Sequence, residues 1–80
     1  MYDTTKNKKL LILGATSGEI SLVKRAQEFG VKVYVTDNHT DYDLSPAKKY
    51  ADVAWDVSWS DLDTLEQMCR KEGIDGITAG

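Results

Sequence analysis

The chain reads as a single α/β unit, a parallel sheet of about four strands built from βαβ crossovers, and three observations predict it. Leu10-Leu11-Ile12-Leu13 is an unbroken apolar run ending on Gly14, as suits a strand covered on both faces that reverses tightly into a helix. Strand-like segments recur about every twenty-one residues, at Lys9–Leu13, Val31–Thr36, Val53–Asp56 and Ile74–Ala79. That interval is a strand plus a crossover and is too long for hairpins. Asp37 follows the second strand nineteen residues beyond Gly18, which completes a strand, glycine turn, helix, strand, acid sequence typical of mononucleotide-binding folds.

The first crossover is predicted as a helix from about Gly18 to Phe29. Leu22, Val23, Ala26 and Phe29 form its apolar stripe, Lys24, Arg25 and Glu28 lie outside, and Gly30 stops it. Thr16 or Ser17 is the expected cap. The second crossover, Asn38 to Asp52, holds turn formers and then Ser45-Pro46-Ala47-Lys48-Lys49-Tyr50, enough for about one helical turn with proline at its start. It reads as too short and polar to cover a sheet face well, and as a surface loop or a place for function beside the glycine turn. The third crossover has the clearest helix signal. Ser60 with Asp63 makes a start resembling a capping box, Leu62, Leu65, Met68 and Cys69 face inward, Arg70 and Lys71 suit the C-terminal dipole, and Gly73 ends it. Trp55 and Trp59, at the strand end and helix start, read as lids on the core.

Composition narrows the function classes. Eighty residues hold one modest core, burying a little over ~60% of the unfolded surface. With 29% charged residues and a net charge of −3, the chain shows no basic stripe and no aromatic-basic interleaving, so nucleic acid is not an expected partner. No apolar run approaches the ~20 residues that span a bilayer, and Met1–Lys9 is not followed by a signal-peptide core, so no membrane partner and a cytoplasmic setting are expected. Residues 1–8 read as a flexible leader to the unit at 9–80.

Candidate chemistry concentrates at the first turn. Gly14, Ala15, Thr16, Ser17, Gly18 and Glu19, with Asp37, are the expected substrate-binding residues, because ligands of such folds sit at the C-terminal ends of the strands around this turn. The glycine spacing matches the dinucleotide fingerprints only in part: Thr16 and Glu19 stand where G-x-G-x-x-G needs glycine, and Ile20 where T-G-x-x-x-G-x-G does. Glu19 also places a carboxylate at the helix end that a pyrophosphate would use, so a ligand with hydroxyl or amine groups fits better than phosphate alone. Alternatively the two glycines only shape the turn. No catalytic residue is assigned, since no nucleophile adjoins a base in sequence. No metal site is assigned either: His39 is alone, Cys69 is a single thiol expected on the core stripe, and Asp37, Asp41 and Asp43 read as solvated turn formers.

Taken together, Lys9–Ala15, Glu28-Phe29-Gly30, Val33–Asp37, Tyr50-Ala51-Asp52 and Lys71–Ile77 resemble the N-terminal domain of ATP-grasp ligases, most closely the carbamoyl-phosphate-synthase-like proteins and carboxylate–amine ligases. The resemblance covers residues 8 to 80. A second early glycine of that family is replaced here by Thr16-Ser17. The resemblance implies a strand order 3-2-1-4 and a substrate-side domain, inactive in isolation, that is truncated from a longer enzyme. Downstream ATP-grasp domains would be its partners and would hold ATP and magnesium, with no cofactor in this piece. Other readings are a truncated nicotinamide-binding half of a dehydrogenase or reductase, with Asp37 on the ribose, and a stand-alone dimerisation module. Under the order 3-2-1-4 the fourth strand is an edge, so a homodimer through it is expected.

Overall fold

A computed structural model describes residues 8–79 of the 80, so the leader expected at 1–8 lies, except for Lys8, outside the described residues. Four strands, β1 (Lys9–Leu13), β2 (Lys32–Thr36), β3 (Val53–Trp55) and β4 (Gly76–Ala79), form one sheet in the order β3-β2-β1-β4. Every pairing is parallel, with Leu11 of β1 opposite Tyr34 on one side and Ile77 on the other. The helices are α1 (Ile20–Glu28) and α2 (Leu62–Glu72), joined by two short 3-10 turns at Ser17–Glu19 and Pro46–Lys49. The predicted fold class and strand order are therefore the observed ones.

Alternation along β1 divides the core into two layers. Ile12 points to the α1 face with Val33, Val35, Val23, Ala15 and Ala47, all of them fully buried. Leu11 points to the α2 face with Tyr34, Trp55 and Leu65, and the Tyr34 and Trp55 rings meet edge to face at 5.4 Å. Because the crossover through α1, from β1 to β2, and that through α2, from β3 to β4, run in opposite directions across the sheet, right-handed connections put the two helices on opposite faces. The strand ends at which the directions diverge form the switch point of the sheet.

Several sequence expectations need correction. α1 starts at Ile20, after the 3-10 turn, and meets the sheet along the row Ile20, Val23, Ala26; Leu22 and Phe29 are exposed. A nine-residue helix touches a sheet along one row, and Phe29 falls at its C-cap, where the ring lies 6.0 Å from the Arg25 guanidinium. Trp55 is a core lid as expected, but Trp59 is 60% exposed. The second crossover does cover its sheet face: Ala47 is fully buried in the α1 layer, since a 3-10 turn needs only four residues to insert one small side chain. Gly30 and Gly73 terminate their helices at positive φ, as predicted.

At the start of α2 the cap is Asp61, whose carboxylate accepts from the Thr64 N–H at 3.3 Å, and not Ser60, whose hydroxyl pairs with Ser58 at 2.8 Å. This shift by one residue leaves Leu62 in the first turn, 70% exposed, on the rim of the core it was expected to enter. Asp61→Ala should lower stability by about 1 kcal/mol while Ser60→Ala changes it by less than about 0.5 kcal/mol, as read from urea midpoints. Equal losses would contradict the assigned cap.

Candidate functional site

Two constellations meet at the C-terminal ends of β1 and β2. The first is the turn leaving β1. Gly14 has φ +109° and donates its N–H to the Thr36 carbonyl at 2.9 Å, which ties the turn to the end of β2. A side chain at position 14 would be strained by that backbone, and its Cβ would lie 3.2 Å from the Glu19 carboxylate. Glycine is required here by φ and by close approach together. At Gly18 no such demand exists, because an added Cβ would meet only the Thr16 hydroxyl oxygen at 3.6 Å.

Neither Thr16 nor Ser17 caps a backbone N–H by its side chain. The Thr16 hydroxyl donates instead to the Glu19 carboxylate, which folds back against Gly14 and is only 9% exposed. Ala15 is buried beneath the turn, while Thr16, Ser17 and Gly18 are exposed along its rim. Thus the space next to the helix N-terminus, where a bound phosphate would gain most, already contains a carboxylate of the chain itself. The residues present do not fit a dinucleotide pyrophosphate.

Asp37 heads the second constellation. Expected as a solvated turn former or ligand contact, it is buried, and its carboxylate accepts from Ser45 Oγ at 2.7 and 2.9 Å and from the His39 N–H at 2.9 Å. Lys48 Nζ lies 3.1 Å from the same carboxylate and 2.8 Å from that of Asp56. The Lys48 ammonium also donates to the carbonyls of Asp37, at 3.1 Å, and of His39, and stands 5.4 Å from the Tyr42 ring centre. Its side chain is wholly buried. Burial pushes the Asp37 carboxyl up, but the Ser45 hydroxyl, the His39 N–H and Lys48 outweigh it, so its pKa lies below the ordinary value. Asp37 is accordingly held ionised.

The two constellations touch through the backbone, where the Ala47 N–H donates to the Ala15 carbonyl at 3.1 Å. Residues 38 to 47 therefore lie as a strap beside the first turn, fastened at both ends by Asp37, Ser45 and Lys48. The structure thus brings all the predicted site residues, Gly14 to Glu19 and Asp37, to one end of the sheet. Ser45 and Lys48 were not expected there. A four-residue turn carries no periodicity to show that Ala47 and Lys48 both point inward, and the nearest sequence signal is the eight-residue spacing from Asp37 to Ser45 ahead of Pro46.

Elsewhere the chemistry is sparse. The Asp41 carboxylate accepts from the Asp43 N–H at 2.9 Å, and Asp43 forms an exposed ion pair with Lys49 at 2.6 Å; hydrogen bonding and charge from Lys49 hold its carboxyl below the ordinary range. Among the described residues no three metal-ligating side chains cluster. Burial pushes the Cys69 thiol up, which disfavours the thiolate and agrees with its expected place on the core side of α2. No helix among the described residues is long and apolar enough to cross a membrane.

No family model and no curated sequence matches the chain. Solved structures do. An N5-carboxyaminoimidazole ribonucleotide synthetase determined as its ADP complex shares 25% identity and a TM-score of 0.77 over 94% of this chain and 19% of that one. The enzyme from Staphylococcus aureus, also complexed with ADP, gives 24%, 0.79, 99% and 20% by the same measures. For the enzyme from Thermotoga maritima the values are 26%, 0.75, 91% and 19%. The chain spans about a fifth of the length of these ligases, and over nearly all of its own length it is similar to the N-terminal domain of an ATP-grasp ligase.

Proposed function

We propose that the chain is the substrate-side domain of an ATP-dependent carboxylate–amine ligase, holding a small donor-bearing molecule at the turn from Gly14 to Glu19 beside Asp37. The observation that carries this reading is the structural likeness to N5-carboxyaminoimidazole ribonucleotide synthetases over 91–99% of the chain. The placement of the ligand rests on the switch point of the sheet between β1 and β4, beside which the turn leaves β1. Thr16, Ser17 and Gly18 form the accessible rim. The Glu19 carboxylate gives the floor beside the turn an acceptor that suits amine or hydroxyl donors.

In this reading ATP and magnesium are held by parts of the enzyme outside these 80 residues, and the chain alone catalyses nothing. Calorimetric titration of the 80-residue chain with magnesium-ATP should give no measurable heat of binding. A micromolar dissociation constant would overturn the proposal. The nicotinamide alternative is checked in parallel with NADH: fluorescence enhancement abolished by Asp37→Ala would put a dehydrogenase half in its place.

A further inference from the structure

A carboxylate–amine ligase has to deprotonate its amine, because near neutral pH the nucleophile arrives as an ammonium ion with no lone pair for attack. His39, the single histidine of the chain, stands on the strap at the same end of the sheet as the turn. Its backbone is fixed on both sides. The His39 N–H donates to the Asp37 carboxylate at 2.9 Å, closing a turn through the side chain, and its carbonyl accepts from the buried Lys48 ammonium. From that fixed backbone the ring places Nδ1 3.6 Å from Asp37 Oδ2, while half of the side chain stays exposed.

Asp37 is buried, so a ring that turns Nδ1 toward it presents Nε2 outward. A proton on Nδ1 is attracted by the carboxylate and a lone pair there is repelled, which leaves Nε2 of the neutral ring as the acceptor. Chain connectivity keeps the ring near the turn. The Gly14 N–H is bonded to the Thr36 carbonyl, and His39 lies three residues further on, no more than about 11 Å of chain even if extended. The carboxylates at this end are already engaged: Asp37 by Ser45 and Lys48, Asp56 by Lys48, and Glu19 by Thr16. As a class carboxylates are also weaker bases than imidazole.

We infer that His39 is the base for the amine held at the turn, taking a proton on Nε2 while Asp37 holds Nδ1–H. An ammonium N–H bond breaks, an Nε2–H bond forms, and the positive charge passes to an imidazolium that the Asp37 carboxylate faces. The freed lone pair then attacks an acyl phosphate made by the ATP-dependent part of the enzyme, and phosphate leaves. This inference rests on the proposed function.

Because the histidine is single, its ring nitrogens can be followed directly by long-range proton–nitrogen correlation on the 80-residue chain, at about pH 8.5, above the ordinary histidine value. The expected result is a majority Nδ1–H tautomer, the reverse of the preference of free histidine. The Nε2 resonance should move with ethanolamine and stay unmoved with tetramethylammonium, which has no N–H to give. A majority Nε2–H tautomer, or an unmoved Nε2 while the amides of residues 14 to 19 respond to ethanolamine, would overturn the inference and leave the proposed function standing. Ethanolamine that moves neither the ring nor those amides would overturn both.

Discussion

Replacing Lys48 by methionine should destabilise the fold by about 3–5 kcal/mol, because it leaves buried Asp37 without its cation while keeping the volume of the side chain. That is a large share of the roughly 5–15 kcal/mol that holds a domain together. Lys48 ties Asp37, Asp56 and two loop carbonyls, so its loss also releases the strap of residues 38 to 47. The pH dependence identifies the mechanism. Because the folded-state pKa of Asp37 is depressed, its ionisation stabilises the fold above the unfolded value near 3.8, and that contribution is lost as pH falls through the folded value. Without Lys48 the depression shrinks, so the gap between wild type and Lys48→Met should be widest near pH 7 and narrow below about pH 4. Urea unfolding at both pH values measures it; a gap independent of pH would mean that Lys48 acts through packing alone.

Gly14→Ala should cost about 1–3 kcal/mol, the usual penalty for a side chain held in a sparsely populated backbone region. Part of that penalty comes from the Glu19 carboxylate, 3.2 Å from the new Cβ, and part from φ +109° itself. Adding Glu19→Ala should relieve only the first part. Gly18→Ala, by contrast, should be neutral or slightly stabilising, since its position has room and no positive φ. Urea midpoints of the three variants decide the matter. Equal losses at positions 14 and 18 would contradict the assignment of Gly14 alone as the conformationally required glycine.

The difference between those glycines illustrates what could be read from the sequence. β1 and the turn after it were legible because a four-residue apolar run against glycine has few other meanings in a short chain. Parallel pairing followed from crossover length and both C-terminal glycines from helix stop chemistry, whereas the strand order came only from the resemblance to ATP-grasp ligases. Positions decided by tertiary contact were less accessible. Glu19 was expected in the first helical turn, yet only folding reveals that its carboxylate bends back under Gly14. Lys48 looks like one of two adjacent surface lysines, and Lys49 is indeed exposed; the geometry of a single 3-10 turn sends one inward and the other out. Leu62 misled for a related reason: it has the helical spacing of Leu65 and Cys69, but as the first residue of α2 it stays exposed at the rim of the core.

The proposed function requires this end of the sheet to take a small molecule through hydroxyl or amine donors in preference to phosphate. Amide chemical-shift mapping on the 80-residue chain, titrated separately with ethanolamine, glycine and inorganic phosphate, tests it most directly. The two amines should perturb the amides of residues 14 to 19 and 37 to 48, whereas phosphate should leave them unmoved. Shifts clustered at the opposite end of the sheet, around Lys9, Lys32 and Asp75, or phosphate-induced shifts at the Gly14 turn, would contradict it.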